Sequence, residues 1–152
     1  MKKIKASHLE AIISDEDYDR VSQYNWWLLK AGYVYTQTCI KGKRTTILLH
    51  SFIMTPAKGT EIDHINGDVL DNRRENLRLA SRSQNCGNRR SFGKLKGIYW
   101  NKNAWQAQIK KDGEYVYLGR FKDPMEAARK YDEKATELFG DFACVNFPMG
   151  GV

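Results

Sequence analysis

The stretch from Glu61 to Asn85, EIDHINGDVLDNRRENLRLASRSQN, restricts the fold more than any other part of this chain. Glu61 to Ile65 reads as a short strand with Asp63 and His64 at its end. Asn66 to Glu75 is a polar loop, and Asn76 to Ala80 returns as a second strand. Ser81 then opens a helix, because Ser81-Arg82-Ser83-Gln84 fits the S-x-x-Q capping box. The expected unit is strand, loop, strand, helix, with the helix laid across the hairpin and Asn85 near its first turn.

That arrangement would collect a particular chemistry. Magnesium takes oxygen ligands, few of them from protein, with water and substrate phosphate supplying the rest. Asp63 offers a charged oxygen and Asn85 a neutral one, with Asn88 as the alternative ligand on the same short helix. His64, with an ordinary pKa of about 6.5, can accept a proton from water near neutral pH. Asn76 is placed to orient the imidazole. One hard metal ion beside one general base is the equipment for cutting a phosphodiester bond. His50, which begins a helix after a strand, reads as structural, with DNA contact as the other option.

The formal net charge is +7, and it is concentrated. Residues 73 to 102 hold nine Lys or Arg (Arg73, Arg74, Arg78, Arg82, Arg89, Arg90, Lys94, Lys96, Lys102) against one acid, Glu75. A basic stripe that starts inside a candidate site points to a polyanion, and Arg73 to a phosphate contact. Hydrophobic content of 41% with 28% charged residues supports a packed core and argues against wholesale disorder. No apolar run approaches the roughly 20 residues of a membrane span, and the polar start MKKIKASHLE has no signal-peptide core. A cytoplasmic protein with no membrane partner is expected. Cys39, Cys86 and Cys144 are too scattered for a disulfide framework or a zinc knuckle.

Before the motif, residues 8 to 14 read as a strand, and Ser14 with Asp17 as the cap of a short helix reaching about Tyr24. Asn25 to Leu29, Tyr33 to Ile40 and Thr45 to Leu49 are expected strands, the last two joined at Lys41-Gly42-Lys43. A brief helix ends at Pro56. Trp26, Trp27, Tyr33 and Tyr35 are expected in the core and on sheet faces. Residues 91 to 96 read as a basic linker. Beyond it, Gly97 to Trp100, Trp105 to Lys110 and Tyr115 to Phe121 are three strands. A helix follows with Asp123 as N-cap and Pro124 in its first turn, and an apolar face of Ala127, Ala128, Tyr131, Ala135 and Leu138.

DHINGD, DNRRENLR and SRSQN, occurring in order over about residues 45 to 90, resemble the HNH endonucleases, in the His-Asn-Asn form of phage and intron-encoded homing enzymes. The resemblance implies metal binding by Asp63 and Asn85, a general base at His64, base orientation by Asn76, and products with a 5′-phosphate and a 3′-hydroxyl. An Asn at the third family position favours magnesium or manganese.

The C-terminal segment resembles the Apetala-type, ethylene-response-factor DNA-binding domain. The marks are Gly97-Ile98, Trp105-x-Ala107-x-Ile109, Leu118-Gly119-x-Phe121, Glu126-Ala127-Ala128, Tyr131-Asp132 and Asn146-Phe147. The resemblance implies a three-stranded antiparallel sheet backed by one helix and laid in the major groove. Alternation puts Trp105, Ala107 and Ile109 toward the helix, and Gln106, Gln108 and Lys110 on the open face. Tyr99, Asn101, Tyr115 and Tyr117 join that face, where the plant domains use several arginines, so the plant target does not transfer.

The expected architecture is α+β. A ββα-metal nuclease domain spans 1–90, with its core at 61–90. The linker spans 91–96, and the sheet-and-helix DNA-binding domain spans 97–152. The partner is double-stranded DNA, bound by a monomer or a DNA-induced dimer, with Arg73, Arg89, Arg90, Lys94 and Lys96 as backbone contacts. The alternative is a non-catalytic DNA-binding protein on a degenerate version of the same fold.

Overall fold

The computed structural model describes residues 1–88 and 94–148. The chain forms two compact units, Met1–Ser81 and Arg82–Val152.

The first unit opens with an antiparallel hairpin, β1 (Lys2–Ala6) and β2 (Leu9–Ile13). Only the second of these strands was expected. In KKIKA three lysines mask the alternation, but Ile4 and Ala6 are buried while the lysines face outward. A 3-10 turn at Asp15–Asp17 leads into α1 (Tyr18–Val21). Ser14 does not cap it. Its Oγ accepts instead from the backbone N–H of Arg74, 3.0 Å away. Asp17, only 2% exposed, accepts from Nε and Nη2 of Arg74, both at 2.8 Å, and from Nη2 of Arg20 at 2.9 Å. The expected local cap is thus a long-range anchor, because two guanidiniums hold the carboxylate more strongly than a single backbone N–H would.

Burial alone would raise the pKa of Asp17, but hydrogen bonds from Arg74 and Arg20 outweigh it and hold the group below its ordinary value. A depressed carboxylate stabilises the fold above its unfolded pKa of about 3.9, and that contribution is lost as pH falls through the folded value. Asp17→Asn should therefore cost roughly 1–3 kcal/mol at neutral pH. Melting curves of the two proteins should converge in strong acid, whereas a constant gap at all pH values would show that the charge is not the source.

Next come β3 (Trp27–Leu28), β4 (Val34–Ile40) and β5 (Lys43–Leu48), an antiparallel sheet in that order. Short α2 (Leu49–Met54) follows directly and stops at Thr55, whose φ of +44° precedes Pro56. The two adjacent tryptophans separate. Trp26 is buried against Phe52, ring centroids 5.7 Å apart, while Trp27 is 41% exposed. Ile13, Val21, Val34, Leu49 and Ile53 form the dry centre of the unit.

β6 (Glu61–His64) and β8 (Leu77–Ala80) pair antiparallel, with Asp63 opposite Arg78 and His64 opposite Leu77. Between them lie β7 (Asp71–Asn72) and a 3-10 turn at Arg74–Asn76. β7 runs parallel to β2, with Ile13 beside Asn72, so the N-terminal hairpin braces the site loop. α3 (Arg82–Gly87) comes next and completes a ββα order along the chain.

In the second unit β9 (Ile98–Asn101), β10 (Ala104–Lys111) and β11 (Glu114–Phe121) form an antiparallel sheet with β10 central. It packs on α4 (Pro124–Phe139), which Asp123 caps by accepting from the N–H of Met125 at 3.1 Å. Ala127, Ala128, Tyr131 and Ala135 are buried as expected, but Phe139 rather than Leu138 is the last fully buried position. The carboxylate of Asp132 accepts from the backbone N–H groups of Asn146 and Phe147, at 2.7 and 2.9 Å. The side chain of Asn146 bonds both N–H and C=O of Lys96, pinning the chain end to the start of the sheet. Among the described residues no helix is long and apolar enough to cross a membrane.

Candidate active site

His64 ends β6 and is 5% exposed. Its Nε2 lies 3.3 Å from Oδ1 of Asn72. The Asn72 amide is oriented by its own Nδ2, which donates to the carbonyl of Val69 at 3.1 Å, so the oxygen is the atom presented to the ring. An acceptor there places the imidazole proton on Nε2 and makes Nδ1 the basic nitrogen. Two rings pack beside it. The centroid of His50 is 5.2 Å away, nearly perpendicular, and that of Tyr33 is 6.2 Å away.

Burial is the main influence on His64 and pushes its pKa down; the Asn72 bond and the charges of Asp63, Asp68 and Asp71 act the other way without reversing it. His50 is pushed down to about 4, mainly by burial and further by His64, so it packs as a neutral ring. That agrees with its reading as structural.

Asp63 is 4% exposed, one residue before His64. Its Oδ2 accepts from Nε and lies 2.8 Å from Nη2 of Arg78, its cross-strand neighbour. The register therefore supplies the countercharge that a buried carboxylate needs.

Asn76 is also buried, and its amide closes the loop. Nδ2 donates to the Asp71 carbonyl at 2.7 Å and to Oδ1 of Asn66 at 3.0 Å, while Oδ1 accepts from the Asn66 N–H at 3.0 Å. Asn76 thus holds the loop that carries Asn72, and Asn72 touches the ring. Arg73 forks onto Asp71 with two bonds of 2.8 Å and pairs with Glu75. That doubly bonded fork holds the carboxyl of Asp71 below its usual range.

Asn85 lies on α3, half-buried, and Asn88 directly follows that helix, its N–H bonded to the carbonyl of Gln84 at 3.1 Å. Among the described residues no group of three or more His, Cys, Asp or Glu gathers around a metal position. Arg89 and Arg90, and the first half of the linker, lie outside the described residues. Lys94 is exposed. Lys96 is half-buried, and its ammonium donates to the carbonyl of Gly87 at 2.6 Å.

The open face of the C-terminal sheet carries the expected side chains. The hydroxyl of Tyr99 is 2.9 Å from Oε1 of Gln106 and 3.3 Å from Oε1 of Gln108, able to donate to either. The Lys110 ammonium sits 5.0 Å from the ring centroid of Tyr115, and Tyr115 and Tyr117 are 64% and 58% exposed. Asn101 ends the same strand as Tyr99, its carbonyl accepting from Nη2 of Arg120 at 3.5 Å. Arg120 is a further cation on this face that strict alternation misplaces. A bulge leaves Leu118 unpaired between Tyr117 and Gly119, so Arg120 comes opposite Gln106.

The HNH endonuclease family pattern matches residues 55–86. An HNH endonuclease of Acanthamoeba polyphaga mimivirus is 32% identical over 143 residues, 90% of this chain and 74% of that protein. Protein 3.8 of Escherichia phage T7 is 33% identical over 92 residues, 57% of this chain and 75% of its own length. An AP2-like ethylene-responsive transcription factor of Arabidopsis thaliana is 37% identical over 57 residues, 38% of this chain but only 13% of that protein. The three-stranded sheet and helix of the second unit resemble an AP2/ERF-like fold. With His64, Asp63 and the clamped loop inside the matched segment, and similarity running along most of both viral and present chains, this protein belongs to the HNH endonuclease family.

Proposed function

We propose that this protein is a metal-dependent DNA endonuclease in which His64 is the general base, and that its C-terminal module is an Apetala/ethylene-response-factor type domain that docks on double-stranded DNA. The observation carrying the catalytic half is the buried His64 ring, held in one tautomer by Asn72 and following directly in β6 on the buried carboxylate of Asp63.

Asp63 and Asn85 would hold the divalent ion, magnesium or manganese. When bound, that ion supplies charge stabilisation at the phosphoryl oxygens and the leaving 3′ oxygen. His64 takes the proton of the attacking water at Nδ1. The new bond forms between the water oxygen and phosphorus, the bond from phosphorus to the 3′ oxygen breaks, and the 3′ oxygen takes a proton from solvent. The products carry a 5′-phosphate and a 3′-hydroxyl. Asn72 keeps the ring from turning, and Asn76 keeps Asn72 in place.

Docking falls to Tyr99, Asn101, Gln108, Lys110, Tyr115 and Tyr117, whose mixture of amide, ammonium and phenol groups suits both phosphates and base edges. Residues 1–90 cut and residues 97–152 dock, with 91–96 following the DNA backbone. The enzyme acts in the cytoplasm as a monomer, or as a dimer assembled on DNA when both strands are cut. Incubating supercoiled plasmid with the full chain, with magnesium and then with excess chelator, tests the reading. Nicked or linear product is expected only with the ion, and ends that accept ligation after the nick identify the 5′-phosphate. Binding without cleavage at any magnesium or manganese concentration would establish the non-catalytic alternative.

A further inference from the structure

Tyr33 is one of the two rings packed on His64, and the proposed chemistry uses neither. Its centroid lies 5.5 Å from that of His50, at 74°, and 6.2 Å from that of His64, at 47°. His50 and His64 touch each other at 5.2 Å. The three rings close a triangle, so Tyr33 borders the proposed base directly.

The backbone fixes this position from several sides. Tyr33 immediately precedes β4, where Val34 pairs with Leu28. Its carbonyl accepts from the N–H of Leu29 at 2.9 Å, and the Leu29 carbonyl accepts from the N–H of Gly32 at 2.8 Å. Gly32, at φ +89°, takes a conformation natural to glycine, and a Cβ there would fall 3.3 Å from Cγ2 of Val69. The Val69 carbonyl accepts from the Asn72 amide, whose oxygen faces His64. The turn that carries Tyr33 is thus packed on the loop that orients the imidazole.

The polar end of Tyr33 is harder to explain by packing. A tyrosine set into a protein normally gives its hydroxyl a partner. The Tyr33 hydroxyl has none among the described residues. No buried side-chain oxygen or nitrogen among those residues lacks a partner, so the hydroxyl of this half-buried ring opens to solvent. A donor fixed beside a general base and bonded to nothing in the protein is available to a substrate.

We infer that the Tyr33 hydroxyl donates a hydrogen bond to a non-bridging oxygen of the phosphodiester being cut, which makes Tyr33 a catalytic residue beside His64. This rests on the reading of the protein as a DNA endonuclease and adds a group to it. Negative charge shifts among the phosphoryl oxygens as water attacks, and a fixed donor aimed at them favours that state over the ground state. A phenol donates without carrying a positive charge, so it places no cation against an imidazole that must be neutral to accept a proton. The hydroxyl proton stays on Tyr33 throughout.

The test replaces Tyr33 by Phe in the full chain, which keeps the ring and removes only the hydroxyl. Single-turnover cleavage of a DNA duplex should fall roughly a hundredfold, the low end of the range for loss of one such donor. Duplex affinity and thermal unfolding should match the parent. A second measurement uses duplexes carrying one phosphorothioate at the mapped cleavage linkage, as separated stereoisomers. Sulfur accepts hydrogen bonds weakly. For one isomer the slowing seen with the parent should therefore be smaller in Tyr33→Phe, because the two changes remove the same contact. Parent-like cleavage by Tyr33→Phe, or equal slowing of both proteins by both isomers, overturns the assignment and leaves the phenol as packing. A lowered melting temperature accompanying the lost activity overturns it too, since the hydroxyl would then serve the fold. Failure of the parent to cut DNA with magnesium sinks the endonuclease reading itself, and the role of Tyr33 with it.

Discussion

His64→Ala is expected to lower cleavage by roughly a hundred- to ten-thousandfold, the range for loss of a positioned general base, while DNA affinity stays nearly unchanged. The separation follows from geometry. The ring is 5% exposed and bonded to Asn72, and the cations and tyrosines assigned to docking lie on other elements. Single-turnover cleavage and equilibrium binding, measured on the same duplex, check it. Loss of both in equal measure would argue that the ring supports the fold rather than the chemistry. The parent enzyme should also show the pH signature of a buried base. Burial lowers the pKa of His64, so the neutral, proton-accepting form persists below the ordinary histidine range. The acid limb of kcat/KM should therefore lie below about pH 6.5. A limb above that value would mean that charges around the site, and not burial, govern the ring.

Gly97→Ala is expected to have the largest effect on stability, roughly 3–5 kcal/mol, from two additive causes. Gly97 has φ +75°, a conformation that costs any residue with a Cβ roughly 1–2 kcal/mol. The added Cβ would also fall 2.0 Å from Cδ2 of Tyr131 and 2.8 Å from the carbonyl oxygen of Gln108. Tyr131 is 4% exposed, packed at the centre of the second unit, and cannot withdraw without opening a cavity under Ile109 and Ala135. The Gln108 oxygen is backbone. Gly113→Ala gives the matched control. It also has positive φ, +94°, but nothing lies within 4 Å of the new Cβ, so only the conformational part should appear. Chemical denaturation of both variants separates the two contributions, and equal losses would show that the Tyr131 clash is relieved at no cost.

Much of this was legible from residues alone. The two site strands were expected within a residue or two, because Asp63-His64 and Leu77 to Ala80 are bounded by polar runs that cannot be core. The C-terminal sheet and its helix followed from period-two alternation and from the Asp123-Pro124 start. What stayed hidden has a common physical origin in contacts between residues far apart in sequence. Ser14 and Asp17 have the spacing of a local cap but serve Arg74, 57 to 60 positions away. Asn72 looked like one more polar loop residue, yet with β7 paired to β2 and its Nδ2 on the Val69 carbonyl its amide oxygen lies 3.3 Å from His64. Lys96 has the composition of a linker cation, yet its ammonium ends on the Gly87 carbonyl. Arg120 needed knowledge of a bulge, which alternation by itself does not announce.

The pairing of Ile13 with Asn72 also bears on how the molecule reaches its working state. The residue proposed to orient the base is paired with β2, Leu9–Ile13, so the proposed reactive geometry depends on closing a loop of almost sixty residues. Such long-range closure comes late and slowly in folding. During synthesis the recognisable motif would leave the ribosome with its hairpin able to form but its imidazole not yet held. An isolated peptide spanning only the matched segment would share that condition. Under the proposed function, competence to cut would be a property of the finished unit, gained only once β2 and β7 have paired.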